Sequence, residues 1–439
     1  MSQPQTTAVR RVGLASLMGT TIEYYDFFIY GTAAALVFGH VFFPKADPVT
    51  GTLLSFATYG VAFVARPLGG IVFGHFGDRV GRKTALVITL VTMGVATVGV
   101  GVVPSYASIG VAAPIILVAL RFLQGIALGG EYGGAVLMTV EHSPAHRRGF
   151  YGSWVQTGAQ FGLIIANVLY LILGSAMGDD TFKSWGWRVP FIASAILVII
   201  GLVVRLKLEE SPEFQELKKS SAIESMPLRE VVRGHLGSVL LIAGTALSFS
   251  VVFYAVSTWG LAYGIGQGFT KNQMLLAIIA SAAWTIILAI VAGAWSDRVG
   301  RKPLFVAGNL IMLVAIFPWA AAMQSHNQTA LVLAYLGMMT GYALTWATIG
   351  VMMSEAFTGA IRYTGLSLGY TIGVIVGGAI TPIVLTQLTA KTSSTAPIVL
   401  WVAGACLISA VCALPLRRLA AATPGRDAVR PTAAAEAAL

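Results

Sequence analysis

The sequence predicts an all-α membrane protein of twelve transmembrane helices in two six-helix halves. Of the 439 residues, 56% are hydrophobic and only 10% are charged, whereas a soluble protein usually carries about 25% charged residues. The mean hydropathy is +0.79, and twelve apolar runs approach or exceed the roughly 20 residues that one helical span needs. A ten-residue motif also occurs twice. This composition excludes a water-soluble enzyme, a disordered chain and a secreted disulfide scaffold.

The twelve apolar runs are expected to be helices, because the strands of a membrane barrel would alternate apolar and polar residues. The first run is too long for a cleaved signal peptide, and it contains Glu23 and Asp26. Cys406 and Cys412 lie six residues apart in the last run, so we predict neither a disulfide nor a metal site. The runs are 12–39, 52–74, 84–103, 112–140, 149–173, 188–205, 237–262, 272–295, 303–322, 330–353, 362–388 and 396–416.

Basic residues orient these helices. With twelve spans, both termini lie on the same side of the membrane. Of the 28 Lys and Arg residues, 21 lie in segments on that side and five lie in loops on the other side. Cytoplasmic segments are enriched in Lys and Arg, so both termini are expected in the cytoplasm of a bacterium, with the chain in its inner membrane. The basic residues flank apolar runs, so lipid rather than nucleic acid is the expected contact.

A repeat divides the chain into two related parts. GHFGDRVGRK at 74–83 recurs as GAWSDRVGRK at 293–302, which is 219 residues later. Parallel halves with a binding site at their interface are the architecture of many secondary transporters. We predict an N-terminal half at 1–205, a cytoplasmic central loop at 206–236, a C-terminal half at 237–416 and a disordered cytoplasmic tail at 417–439.

The repeated motif places carboxylates beside cations at a predicted cytoplasmic helix end. Such a carboxylate can pair with a cation or cap the N-terminus of a neighbouring helix. Because the acids recur together with the bases, we interpret the network as a conformational latch between the halves, with plain topology anchoring as the alternative. The predicted latch residues are Asp78, Arg79, Arg82, Glu141, Arg148, Asp297, Arg298, Arg301, Glu355 and Arg362.

Ionisable residues inside the predicted spans are candidates for function, because charge is costly in a membrane. Glu23, Asp26 and Tyr30 share one helix face at spacings of three and four, and two carboxylates so close together should not both ionise freely. That property suits a proton carrier, although permanent pairing with a buried arginine is the alternative. Arg66 either snorkels towards the cytoplasm or lines an inner cavity. The proton-coupling candidates are Glu23, Asp26, Glu131 and Arg121.

Substrate contacts are expected from polar and aromatic side chains on helix faces. Arg121 and Gln124 share a face, and a guanidinium group can clamp a carboxylate with two hydrogen bonds. Aromatic residues opposite such charges suit a small organic acid with an apolar or ring body, whereas helix packing and interfacial aromatic belts are the alternative. The predicted substrate-binding residues are Arg121, Gln124, Tyr24, Tyr30, Gln156, Gln160, Tyr254, Trp259, Tyr342 and Trp346.

The two copies of G-x-x-x-D-R-x-G-R-K resemble the signature loop of the major facilitator superfamily. Within it, the chain resembles the metabolite:H⁺ symporters, which include shikimate, α-ketoglutarate and proline/betaine transporters, and it is most similar to the shikimate branch. The resemblance implies the twelve-helix major facilitator fold and matches Arg121 to an arginine often linked to proton coupling. It is carried by IEYYDFFIYG (22–31), RPLGG (66–70), RFLQGIALGGEYGGA (121–135), WGWRVPF (185–191) and LEESPEF (208–214).

We therefore predict a monomeric proton-coupled symporter that imports a small anionic metabolite by alternating access. Protonation of Glu23, Asp26 or Glu131 would compensate the charge of the substrate, and Arg121 would hold the anion or tune the proton site. The proton supplies the driving force, so neither a cofactor nor an enzymatic activity is expected. The alternatives are a proline/betaine-type symporter with an aromatic cage, a metabolite or drug:H⁺ antiporter, and a membrane enzyme.

Overall fold

The computed structural model describes residues 3–80, 82–129, 143–206, 231, 233–356, 362–392 and 394–416. Within these ranges the chain contains helices and no strand, which confirms the all-α prediction. Ten helices are long and apolar enough to cross a membrane, and two further apolar helices, Val87–Val102 and Ala112–Leu128, are shorter. The fold is the predicted bundle of twelve helices. The central segment 207–230 and the tail 417–439 lie outside the described residues.

In the described part of the chain, three helices contain a π-helical turn. We number the helices in chain order: α1, Gln3–Ala33 with the π-helical Ala34–Phe38 and Gly39–Phe42; α2, Pro48–Val80; α3, Arg82–Val102; α4, Ala112–Leu128; α5, Arg148–Ala176; α6, Val189–Leu206; α7, Leu236–Tyr254 with the π-helical Ala255–Trp259 and Gly260–Gly266; α8, Lys271–Val299; α9, Arg301–Ala322; α10, Gln328–Ser354; α11, Arg362–Ile375 with the π-helical Val376–Ile380 and Thr381–Thr392; α12, Ala396–Ala413.

The two groups of six helices pack against each other mainly through α5 with α8 and α2 with α11. Small residues allow the closest approach: a Cβ atom at Gly293 in α8 would lie 2.7 Å from the backbone oxygen of Gly149 in α5. In membranes, where lipid is as apolar as leucine, such close backbone contact is a principal source of helix association. Gly293 of the repeated motif and Gly149 at the start of α5 therefore belong to the interface between the halves.

The outer surface of the bundle is apolar, and the interior carries the polar groups. Exposed valine, leucine and isoleucine side chains cover α3, α6, α9 and α12, as Val95, Ile196, Val314 and Leu400 illustrate. The buried Asp, Glu, Arg and Gln side chains lie on other helices, and one buried Asn, Asn309, lies on the inner face of α9. This inversion fits a protein whose solvent is lipid, because polar groups in a membrane are kept away from the hydrocarbon.

We call the face that contains the α2–α3 and α8–α9 connections the signature side, and the other end of the bundle the far side. The α4–α5 and α10–α11 connections also lie on the signature side, because each helix crosses the bundle once. The predicted runs and the helices agree in order and position. Most helices extend beyond the apolar run, since their polar ends lie outside the hydrocarbon.

Candidate substrate and proton sites

An aromatic cavity lies between the two halves. It lies between side chains of α1 and α5 on one side and of α7, α10 and α11 on the other. Ligand sites are usually apolar and aromatic with a few polar groups that fix orientation, and the tyrosine hydroxyl groups are those polar groups here. The lining residues are Tyr24, Phe28, Ala159, Phe249, Ser250, Phe253, Tyr254, Tyr342, Trp346, Tyr370 and Val374.

Ring-to-ring contacts connect the two halves across this cavity. The Phe28 and Phe253 ring centroids lie 5.2 Å apart, and the Phe253 and Tyr342 centroids lie 5.6 Å apart. The hydroxyl groups of Tyr24 and Tyr370 lie 3.3 Å apart. Aromatic pairs at these separations are favourable beyond their buried area, so the rings form one continuous wall.

Four predicted substrate residues, Tyr24, Tyr254, Tyr342 and Trp346, line the cavity. Gln160 supports this wall from behind, because its Nε2 lies 3.4 Å from the Tyr342 hydroxyl group, and Gln156 bonds the backbone of Trp346. The structure therefore brings these predicted residues together, two of them as supports.

Two other predicted substrate residues lie apart from the cavity. Trp259 is buried at the end of the π-helical turn of α7, where it stacks on Tyr263 with 4.5 Å between ring centroids. Tyr30 donates a hydrogen bond of 2.8 Å to Thr58, and its ring faces Arg121. Both side chains pack within a half rather than facing the space between the halves.

Sequence reasoning did not single out Phe28, Phe249, Phe253 and Tyr370. Phenylalanine in an apolar span resembles ordinary packing, so its hydrophobicity carries no signal. One pattern could have found a pair of them: Phe249 and Phe253 are four residues apart on α7, which places both on one helix face.

A smaller charged pocket adjoins the aromatic cavity. It is lined by Glu23, Tyr24, Phe27, Arg66 and Leu128, all from the first six helices. Tyr24 lines both spaces, so the two are adjacent. Of the two alternatives for Arg66, snorkelling or lining a cavity, the structure shows the second. Its guanidinium group lies 4.9 Å from the Phe27 ring centroid and 5.0 Å from that of Phe63.

Asp26 faces a different environment from Glu23. The hydroxyl groups of Thr97 on α3 and Ser194 on α6 flank the Asp26 carboxyl group. The side chain is only 2% exposed, and its Oδ1 has no hydrogen-bond partner among the described residues. An acidic group buried so completely is costly unless it is neutral or compensated.

A chain of polar groups joins Asp26 to Arg121. Thr97, beside Asp26, accepts a hydrogen bond of 2.8 Å from Gln124 Nε2, and Gln124 Oε1 accepts one of 2.9 Å from Arg121. Arg121 is fully buried, and the rings of Phe27 and Tyr30 lie 4.3 and 4.1 Å from its guanidinium carbon. The two charges are thus connected through Thr97 and Gln124 without a direct ion pair. Glu131 lies outside the described residues.

On the signature side, Asp297 contacts the other half of the protein. Its two carboxylate oxygens accept hydrogen bonds of 2.8 and 3.0 Å from the backbone N–H groups of Gly149 and Phe150. These groups belong to the first turn of α5, where free N–H groups and the helix dipole favour a negative charge. Asp297 of the second half therefore caps a helix of the first half.

Arg301 connects Asp297 to the end of α10. Its guanidinium group lies 3.7 Å from Asp297 and 2.7 Å from Glu355. Arg148 is half-buried at the start of α5, and Arg298 is exposed. Among the predicted latch residues, the side chains of Asp78, Arg79, Arg82, Glu141 and Arg362 lie outside the described part of the structure.

The halves also contact each other on the far side. Lys271 at the start of α8 lies 3.4 Å from Asp179, and Asn272 donates a hydrogen bond of 3.1 Å to Ser175 at the end of α5. The Lys183 ammonium group, with Lys271, lowers the pKa of Asp179 below its usual range. The aromatic cavity therefore lies between two contact layers, one at each end of α5 and α8.

Known proteins resemble the chain over almost its whole length. The family described as "Sugar (and other) transporter" matches residues 12–236 and 252–414. The inner membrane metabolite transport protein YhjE of Escherichia coli is 43% identical over 85% of this chain and 86% of its own. The shikimate transporter of Escherichia coli is 38% identical over 93% and 94%, and the proline/betaine transporter of that organism is 34% identical over 84% and 76%.

The fold matches solved transporter structures. The proton:xylose symporter XylE, of the major facilitator superfamily, aligns with a TM-score of 0.73 over 95% of this chain and 96% of its own, at 19% sequence identity. These relatives confirm that the chain is a multi-pass transporter of the inner membrane for small molecules and not an enzyme. The chain belongs to the sugar (and other) transporter family and has the major facilitator fold.

Proposed function

We propose that this transporter is a proton-coupled symporter that carries a small organic acid into the cell. The observation that supports this most directly is the polar chain from Asp26 through Thr97 and Gln124 to Arg121, sealed inside the first six helices. Ionisable groups in membrane spans are expensive and usually serve ion or proton movement. A carboxyl group with a hydroxyl-linked cation nearby can take up a proton without leaving the protein interior.

The alternating-access cycle uses the two contact layers. We propose that the Asp297 cap and the Arg301–Glu355 pair hold the signature side closed, and that this side faces the cytoplasm together with both chain termini. The predicted division into two halves, a cytoplasmic central loop and a cytoplasmic tail belongs to this proposal, as does a monomeric state. Rocking of the halves exposes the aromatic cavity first to one side and then to the other.

Proteoliposome uptake under an imposed pH gradient, acidic outside, tests the proposal. Labelled shikimate, benzoate, α-ketoglutarate and proline form the panel. Accumulation of one acid that collapses with a protonophore is the expected result. Asp26→Asn should abolish accumulation but keep exchange of labelled for unlabelled acid, because exchange needs no net proton movement. Asp180→Asn, which removes an exposed acid, is the matched control.

The same assay contradicts symport if the gradient drives efflux of the acids instead, as an antiporter requires. A second function has support from the cavity itself. Its tyrosine and tryptophan rings could surround a quaternary ammonium group, and a proline/betaine transporter is among the relatives. Accumulation of proline or betaine with no accumulation of the acids would identify that function.

A further inference from the structure

We infer that Arg66 on α2 is the anion-binding group of the substrate site and that it receives the carboxylate of a monocarboxylic acid. The body of the acid then lies past Tyr24 in the aromatic cavity. This inference rests on the proposed transport of an organic acid. It assigns the anion to a different arginine from the one that the sequence favours, which is Arg121.

Among the residues that the structure describes, none forms a hydrogen bond or ion pair with the buried guanidinium group of Arg66. The side chain is 6% exposed, and its Nε has no hydrogen-bond partner. In the part of the chain that the structure describes, the contacts of its guanidinium group are the faces of Phe27 and Phe63. A guanidinium group has five N–H donors that match a carboxylate in pairs, and these donors border the charged pocket.

Among the described residues, Arg121, unlike Arg66, forms a hydrogen bond with another side chain. It donates a hydrogen bond to Gln124 and is enclosed by three aromatic rings. It borders neither the charged pocket nor the aromatic cavity. The Phe27 ring contacts both guanidinium groups and separates them. A group in the charged pocket therefore contacts Arg66 directly, whereas Arg121 lies behind the ring.

The neighbours of Arg66 select the class of ligand. Glu23 borders the same pocket, so a second carboxylate on the ligand would meet a like charge there. Among the described residues, those that line the aromatic cavity include no Asp, Glu, Lys or Arg, and their polar groups include the hydroxyl groups of Ser250 and Tyr254. A ligand with one carboxylate and an apolar, ring-shaped or hydroxylated body therefore suits both the charged pocket and the aromatic cavity.

Equilibrium binding to the full-length protein in detergent, without a pH gradient, tests the assignment. The probes are shikimate and benzoate, their uncharged counterparts methyl shikimate and benzamide, and the dianion α-ketoglutarate. The wild type should bind at least one monoacid about tenfold or more tightly than its uncharged counterpart. Arg66→Gln should remove that preference, and Arg66→Lys should restore part of it. Lys45→Gln, which removes a charge from the α1–α2 loop, is the control.

Several results overturn the inference. The first is that the wild type binds none of the monoacids or prefers α-ketoglutarate. The second is that a folded Arg66→Gln variant keeps the preference for the acid over its uncharged counterpart. The third is that only Arg121→Gln loses this preference. If Arg66→Gln does not fold, Arg66→Lys replaces it, and an undiminished preference for the acid in Arg66→Lys overturns the inference. Symport is tested separately by accumulation. Arg66-dependent binding without protonophore-sensitive accumulation supports this inference and contradicts symport. Protonophore-sensitive accumulation without Arg66-dependent binding supports symport and contradicts this inference.

Discussion

Gln156 of α5 and Trp346 of α10 exchange two hydrogen bonds across the interface between the halves. Gln156 Nε2 donates to the backbone oxygen of Trp346 at 3.1 Å, and the Trp346 indole N–H donates to the backbone oxygen of Gln156 at 2.9 Å. Trp346 also lines the aromatic cavity. The cavity wall and the interface are therefore one structure, and separation of the halves must break both bonds.

Trp346→Phe should weaken the closed interface. The ring surface remains, but the backbone oxygen of Gln156 loses its indole donor, which costs about 1 kcal/mol when no replacement is available. We expect a lower melting temperature in detergent and a larger KM for the transported substrate. Trp185→Phe, at an exposed position, is the control. Equal melting temperatures for the two variants would contradict the prediction.

Asp297→Ala should open the signature side. The change removes both acceptors of the α5 N-terminal N–H groups, and loss of a helix cap typically costs about 1 kcal/mol. Spin labels placed across the α5–α8 contact should report a broader distribution with a longer mean distance. Arg298→Ala, the exposed neighbour, should leave the distribution unchanged. A narrow distribution in Asp297→Ala would show that the cap does not hold the halves together.

The Asp179–Lys271 contact on the far side should depend on pH in one direction. Because Lys183 and Lys271 lower the pKa of Asp179, the carboxylate stays ionised at neutral pH and loses its charge only as the pH falls below the usual range of an aspartate, about 3.9. The contact is thus present at high pH and lost in acid. Asp180, the exposed acidic residue next to Asp179 in the sequence, also faces this side.

Spin labels on the far-side ends of α5 and α8, at positions other than the contact residues Ser175, Asp179, Lys271 and Asn272 and with the native cysteines replaced, measure this contact. The distance distribution should stay narrow from neutral pH to about pH 4 and broaden below it. Asp179→Asn should be broad at every pH. If the wild type broadens near pH 6, a group other than Asp179 controls the far side.

Thr97→Val should uncouple proton movement from transport. The substitution keeps the side-chain volume and removes the hydroxyl group that stands between Asp26 and Gln124. We expect pH-driven accumulation to fall by about tenfold or more, which corresponds to about 1.4 kcal/mol, while exchange continues. Thr52→Val, at the start of α2, is the control. Undiminished accumulation would show that Asp26 and Arg121 act independently.

The fold could be predicted from the sequence because lipid imposes a simple rule on every span. Hydropathy alone located the twelve helices, and the repeat located the two signature loops. The sequence could predict that a carboxylate of the motif, such as Asp297, caps a neighbouring helix. It could not predict that the capped helix is α5, because that depends on how closely α8 approaches α5.

The site was less predictable, because its residues come from different helices. Arg66 could snorkel or line a cavity, and the rings of Phe27 and Phe63 decide between the two. Trp259 and Tyr254 were both predicted to bind substrate, but side chains five residues apart point about 140° apart on a regular helix. Trp259 stacks on Tyr263 instead of lining the cavity.

The π-helical turns make the two ends of the bundle mechanically unequal. The turn in α1 begins at Ala34 and the turn in α7 begins at Ala255, 221 residues later, and α11 has a third. Helices bend most readily at such turns. All three short tips beyond them point to the far side. The far side can open when these three short segments bend, whereas the signature side opens only when whole helices move. We therefore expect the two openings to occur at different rates.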